Sequence, residues 1–467
     1  MDSDFNGDGK PDLAIADPDA TVDGQVRAGH VTVAYGGGGT QVIDQRETPG
    51  NDNGAGDRFG FALDSVDWND DGCSDLFVGA PFELWNNNTI SEAGMVAMIP
   101  GSPSGLDVAK TELIHQGKSA VPGGAEEGDR FGYSIAAGVD ERDNPFVLIG
   151  APGESIGAVE RAGMVVYGRP GGEFASIHQG HDNVVGGAEV NDMYGYSLAA
   201  SARGFVIGAP GEAIGPSEYA GVAHVFKHPA DLSVGTVWGD LQQDTPGISG
   251  VAEAGDMMGF SVDMVDYKTS SGDFSSIVVV GNPGEDGGYK DQGGVYEFTA
   301  DGSIVEKENF GQGSSGIPGA REDGDLFGAG LAAINRKPGS VPAWSDLLLA
   351  VGVPGEDVTS DDGAEHVDRG WVQTVSLLTS PDDHISSIDK SLVESDAMTW
   401  HSGSRIGDVL HATATHLFFT DFSDAAPAVY GIPWDNLYAG ETETVIVYKP
   451  GEDGIPADSV NFGAALA

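Results

Sequence analysis

Short apolar runs separated by glycine-rich polar loops recur along this chain in a nearly constant order. One run opens on an aromatic-glycine pair, as in GDRFGFAL, GDRFGYSIAA and NDMYGYSLAA. A second ends in Gly-Ala-Pro, as in DLFVGAPFE, FVLIGAPGE and FVIGAPGE. An apolar run this short that stops at proline predicts a buried strand, because proline cannot donate to a sheet ladder. Alternating stretches that follow, such as AGMVVYG, AGVAHVF and GGVYEF, predict a third strand leading into a fourth. Four antiparallel strands per unit make one propeller blade.

The pairs beginning at Phe59, Phe131, Tyr194, Met258, Phe327 and Ile406 head six such units, and the later copies drift, as in GDMMGFSVDMV, GDLFGAGLAAI and SRIGDVLHATA. A seventh is split. NFGAALA at the C-terminus supplies only an opening strand, while SDFNGDGKPDLAIADP at the N-terminus is what should follow one. The expected fold is therefore all-β: a seven-bladed propeller of four-stranded antiparallel blades, one domain over residues 1–467. Residues 460–467 complete the first blade, so strands from both termini close the ring and remove open sheet edges.

The succession of Phe-Gly, Gly-Ala-Pro and DxNxDGxxD loops resembles the FG-GAP repeat family, known from integrin α-subunit heads and many secreted bacterial proteins. The resemblance covers essentially the whole chain, strongly over the first five units and weakly from Ile406 onward. It implies a seven-bladed propeller with calcium loops on one face, ligand contacts usually on the other, and a structural role for the calcium. It implies no particular ligand.

Composition narrows the partners. Against 22 Lys+Arg stand 73 Asp+Glu, a formal net charge of −51 over 467 residues, which repels nucleic acid and anionic membrane surfaces. The same excess favours cations, basic ligands or a salty medium. Gly reaches 72 residues, as many short strands with tight turns require. One cysteine, Cys73, precludes an intramolecular disulfide. No run is long and apolar enough to span a membrane, and Met1 leads into a polar loop rather than a signal peptide. The expectation is a secreted or cell-surface monomer whose leader is missing from this chain.

Two segments place oxygen ligands at every second position: Asp4, Asn6, Asp8, Lys10 and Asp12, and Asp67, Asn69, Asp71, Cys73 and Asp75. Calcium takes six to eight oxygens, and a tight loop presents side chains from positions one, three, five and nine with a carbonyl from seven. Lys10 and Cys73 would contribute backbone oxygens only. Gly9 and Gly72 permit the sharp turn. Two bound Ca2+ ions are expected. An acidic turn held by Asx hydrogen bonds is the bland alternative. The corresponding loops VDERDNPF, VDYKTSSGDFSS and INRKPGSVPAWSD have lost the alternation, and no metal is expected there.

Catalytic signatures such as HExxH, CxxC and Gly-x-Ser-x-Gly do not occur. The repeated IHQG at His115 and His178 reads as structural duplication, and His401, His411 and His416 gather in the degenerate unit. The loop entering each first strand and the loop leaving each second strand share one end of a blade. That brings Asp57, Asp129, Asp192, Asp256 and Asp325 together with Glu154, Glu212, Glu285 and Glu356 on a concave acidic face. Asp129, Arg130, Glu154, Asp192, Glu212, Arg405 and Trp434, with Arg58, are its candidate ligand contacts. Equally, the acids could satisfy loop amides. The functional expectation is a calcium-stabilised extracellular binding or adhesion module recognising a protein or carbohydrate ligand, with a basic ligand favoured by charge. The alternative is a secreted hydrolase or natural-product cyclising enzyme using the acidic axial pocket. The absence of a nameable nucleophile with its base favours the binding module.

Overall fold

The apolar runs become fully buried strands. Phe146, Val147, Leu148 and Ile149 in the run before one Gly-Ala-Pro all have no exposed surface, and burying each such side chain contributes about 1.5–3 kcal/mol. The computed structural model describes residues 3–49, 54–85, 89–231, 235–314, 316–360, 363–379, 385–388, 401–423, 426–439 and 441–467.

The strands form a seven-bladed β-propeller. Blade 1 is Leu13–Asp17, His30–Ala34 and Thr40–Ile43. Blade 2 is Leu63–Val66, Asp75–Ala80, Met95–Ile99 and Glu112–Ile114, and blade 3 is Ile135–Val139, Pro145–Ala151, Met164–Arg169 and Glu173–Ile177. Blade 4 is Ser197–Ala200, Gly204–Ala209, Val222–Lys227 and Thr236–Leu241. Blade 5 runs Val262–Lys268, Phe274–Asn282, Gly294–Asp301 and Ser303–Phe310, and blade 6 Leu331–Asn335, Leu347–Val353, Trp371–Ser376 and Ile385–Ile388. Blade 7 is Leu410–Ala412, His416–Asp421, Ala428–Pro433 and Ile446–Tyr448. Blades 2–7 pair antiparallel in simple succession. A one-turn helix, Trp434–Tyr438, interrupts blade 7.

Two compact units divide the chain. The first holds Asp2–Glu212, Val225–Val237 and Pro450–Ala467; the second holds Ala213–His224 and Trp238–Lys449. Within the first, the C-terminal segment supplies the missing strand of blade 1. Ala14 N donates to Ala467 O at 2.8 Å, Ala467 N to Ala14 O at 3.1 Å and Ala16 N to Ala465 O at 3.0 Å. Ile15 and Leu466 are antiparallel partners.

The repeat motif has a steric cause. A Cβ on Gly79 would lie 2.2 Å from Gly132 O in the next blade, and one on Gly150 would lie 2.2 Å from Gly195 O. The middle glycine of one unit thus lets the backbone of the next unit's aromatic-glycine pair approach closely. The residue before each aromatic is left-handed without being glycine: Arg58, Arg130, Met193, Met257, Leu326 and Arg405 have φ between 47 and 58°. Each such residue costs roughly 1–2 kcal/mol. Inter-blade backbone bonds hold it there, such as Arg130 N to Glu92 O at 2.9 Å and Phe131 N to Ala93 O at 3.1 Å.

Candidate functional site

The acids of the loop-bearing end are buried and tied to backbone. Asp129 is 1% exposed and accepts from Glu126 N at 2.6 Å, and Asp192, also 1% exposed, accepts from Glu189 N at 2.5 Å. Asp256 and Asp325 repeat the bond with Glu253 and Glu322 in the second unit. Glu154 and Glu212, each 6% exposed, accept from Gln116 Nε2 and Gln179 Nε2 at 2.6 Å. Glu285 and Glu356 do the same with Gln243 and Gln312, as does Glu83 with Gln45.

The glutamine is the member of IHQG that the histidine reading passes over. Its recurrence in IHQG, IHQG, LQQD and FGQG, always ahead of the next aromatic-glycine unit, was the available signal. In every one of these pairs the glutamine's Oε1 is buried without a hydrogen-bond partner among the described residues. Burial, reinforced by the neighbouring carboxyls, pushes the Asp129 carboxyl up to about 7 and the Glu154 carboxyl up to about 8. Burial likewise raises Asp192 and Asp256 to about 7 and Glu356 to about 7. A protonated glutamic acid could donate to the orphaned Oε1 while accepting from Nε2, closing a two-bond ring.

The surface left over these buried acids in the first unit is aromatic. Phe61 packs on Phe82 and Tyr133 with ring centres 5.6 and 4.8 Å apart, and Tyr133 packs on Tyr196 at 5.1 Å. All four are half-buried. The guanidinium of Arg58 lies 5.0 Å and that of Arg130 5.4 Å from the Phe82 ring centre. Arg58 is paired with Asp19 at 3.0 Å and Arg130 with Glu92 at 2.8 Å.

The remaining candidates lie elsewhere. In the second unit Arg405 is half-exposed and paired with Asp408. Trp434 is fully buried, its indole Nε1 donating to Thr413 O at 3.0 Å, so it anchors the one-turn helix. His115 accepts from the Trp85 indole at 2.7 Å and His178 stacks on His181 at 3.8 Å; burial lowers both His115 and His178 to about 4. His416 bonds Thr415 at 2.8 Å.

The two DxNxDG loops share one hydrogen-bond scaffold. Asp4 accepts from Asp8 N at 3.1 Å and Gly9 N at 2.9 Å; Asp67 accepts from Asp71 N at 3.1 Å and Gly72 N at 2.9 Å. Asp8 caps Lys10 N and Asp71 caps Cys73 N. Gly9 and Gly72 are left-handed, φ 80 and 90°. Asp12 is turned inward to the amides of Phe5 and Gly36, both at 2.8 Å, and Asp75 to Trp68 and Gly101, both at 2.8 Å. Among the described residues no three His, Cys, Asp or Glu side chains share a common point at metal distance. The donors are nonetheless all oxygen, as calcium requires, and Asn6, Asn69 and the Lys10 and Cys73 carbonyls fall outside that set of residue types. The loops also touch: Ser74 N donates to Asp4 O at 2.8 Å, and a Cβ on Gly7 would lie 3.1 Å from the buried Cys73 Sγ.

Four-stranded blades linked through aromatic-glycine and Gly-Ala-Pro backbone contacts, as between Gly94 and Phe131 and between Gly163 and Tyr194, give the chain the pattern of an FG-GAP β-propeller. The FG-GAP repeat model matches residues 3–33. The chain is 27% identical over 233 residues to phosphatidylinositol-glycan-specific phospholipase D of Dictyostelium discoideum, covering 44% of this chain and 24% of that protein. It is 34% identical over 165 residues to integrin alpha-PS2 of Drosophila melanogaster, covering 32% of this chain and 11% of that protein. These matches thus span a quarter or less of the relatives' length. The periplasmic gluconolactonase of Pseudomonas aeruginosa aligns over 94% of this chain and 96% of its own with 10% identity and a TM-score of 0.41. Among the described residues no helix is long and apolar enough to cross a membrane.

Proposed function

We propose that this propeller is an extracellular, calcium-stabilised binding module, and that the loop-bearing end of its first unit recognises a protein or carbohydrate ligand. The contiguous aromatic row Phe61, Phe82, Tyr133 and Tyr196 carries the reading. Half-buried aromatic rings edged by arginine are the residue types that dominate protein interfaces, and flat rings also stack on sugars. On this reading Asp129, Glu154, Asp192 and Glu212 hold the loops that present the row. Arg130 reaches the ligand directly, and Arg405 is a separate candidate contact within the second unit. The surrounding negative charge favours a basic partner. Asp4, Asn6, Asp8, Lys10 O and Asp12 would hold one calcium ion, and Asp67, Asn69, Asp71, Cys73 O and Asp75 a second.

An enzyme reading draws on the raised carboxyl pKa values, which an acid catalyst needs. Here those carboxyls are buried and bonded to backbone amides or glutamine, which favours the structural role. The binding reading is tested by surface plasmon resonance against immobilised polysaccharides and extracellular-matrix proteins. A Tyr133→Ala, Tyr196→Ala variant should keep its melting temperature and lose the interaction; retained binding would refute the aromatic row as the contact surface.

A further inference from the structure

The opposite end of the first unit, where the first and second strands of each blade turn, carries a second polar site. A cavity of about 400 Å³ opens there, lined by Arg142, Arg203, Lys227, His228, Pro229 and Thr236 among others. Arg142 comes from the first turn of blade 3, Arg203 from that of blade 4, and Lys227 from the end of blade 4's third strand. Arg169 stands beside them, donating to Pro229 O at 3.0 Å. Three of the chain's 22 Lys+Arg thus line one cavity, with Arg169 nearby, in a protein of net charge −51.

Part of the positive charge is spent internally. Asp140, whose side chain has no exposed surface, pairs with Arg169 at 2.9 Å and more loosely with Arg142 at 3.3 Å. Its carboxyl is held below the usual carboxylate range by backbone and Asn144 hydrogen bonds together with the Arg169 charge, which outweigh its burial. Arg142 also reaches Pro229 O only at 3.3 Å, and its side chain is half-exposed. A guanidinium has five donors in a rigid fork, so Arg142 keeps donors for the cavity. His228 is buried, bonded to Ser201 O at 2.7 Å and Tyr167 at 3.2 Å, and burial lowers it to about 4, so it forms a neutral wall.

The lining is not purely cationic. Glu141, which also pairs with Arg203 Nε at 3.4 Å, Asp231 and Thr236 offer acceptors, and Ala202, Pro229 and Ala230 add apolar lining. A bare anion matches only the first of these features. A cavity of this size, whose lining mixes guanidinium donors with carboxylate and hydroxyl acceptors, matches an oxyanion carried on a small polyhydroxylated body.

We infer that this cavity binds a sugar acid, its carboxylate on Arg142 and on the terminal nitrogens of Arg203, whose Nε faces Glu141, and its hydroxyls on the acceptors of the lining. The remote acidic surface does not forbid this, because charges more than about 8 Å away are screened at physiological salt while the local donors act at contact distance. The site stands at the other end of the blades from the aromatic row and is independent of the reading given for it.

Titration calorimetry of the full chain with D-glucuronate, sodium sulfate and D-glucose decides the matter. Glucuronate should bind, and glucose should not. An Arg142→Gln, Arg203→Gln variant should weaken glucuronate at least about tenfold, the loss expected of a bidentate ion pair. The single Lys227→Gln variant, which keeps the length and polarity of the side chain, should weaken it severalfold and covers the case in which the double variant fails to fold. Sulfate binding as tightly as glucuronate would show that the sugar body contributes nothing and would overturn the assignment. So would the absence of glucuronate binding, or binding unchanged in both variants.

Discussion

Replacing Glu154 with glutamine should stabilise the protein at neutral pH and leave it nearly unchanged in acid. The carboxyl is raised from 4.5 to about 8, first by burial and then by Asp129. The folded state therefore holds a proton that the unfolded state releases between about pH 4.5 and 8. Stability from this group is complete below about pH 4.5 and falls as pH rises through that window. At pH 7.5 roughly three pH units of unfolded-state ionisation are forgone, a ceiling of about 4 kcal/mol at 1.36 kcal/mol per unit. Asp129 remains in the variant and contributes its own share of the repulsion, so a gain of about 2 kcal/mol is the expected outcome. Glutamine also suits the geometry, because its amide can donate to the partnerless Gln116 Oε1 while its carbonyl accepts from Gln116 Nε2. Urea unfolding at pH 5.0 and 7.5 provides the assay. A loss of stability of equal size at both pH values would refute the reasoning, since it would mean that Glu154 works as an ionised partner.

Removing residues 460–467 takes away the strand that pairs with Ala14 and Ala16 and should lower the melting temperature by many degrees; an unchanged curve would disprove closure of blade 1. Melting with excess calcium should exceed melting in EGTA by the linkage amount, about 2.7 kcal/mol per site at a hundredfold excess over Kd, and an Asp8→Ala, Asp71→Ala variant should show no such gap. Gly150→Ala forces a Cβ to 2.2 Å from Gly195 O and should cost about 3 kcal/mol or more in denaturant unfolding, as an overpacked rigid contact does.

Much of the fold was legible because its determinants are backbone requirements. Gly79, Gly150 and the aromatic-glycine pairs mark places where two chains approach too closely for a side chain, so they survive as letters in the sequence. The split blade was legible for the same reason: NFGAALA lacks a partner that the N-terminal segment supplies. The fate of the acids was not. Asp129 and Glu154 are charged residues in glycine-rich loops, which composition alone assigns equally to a surface or to a hydrogen-bonded interior. Only the folded loop brings the Glu126 amide and Gln116 within reach. Trp434 follows a proline in a unit whose repeat signal has faded, and nothing local announces the buried helix. The cavity around Arg142 was equally hidden, since its cations come from segments up to 85 residues apart, from position 142 to 227.

The pairing of Ala14 with Ala467 also fixes an order in time. The opening strand of blade 1 cannot pair until residue 467 has left the ribosome, some 450 residues after Ala14. At about 5–20 residues per second the wait is on the order of half a minute or more. Throughout it, Leu13–Asp17, apolar except for Asp17 at its end, presents an unpaired strand edge, and the acidic loop just before it is the nearest source of the repulsion that keeps nascent chains apart.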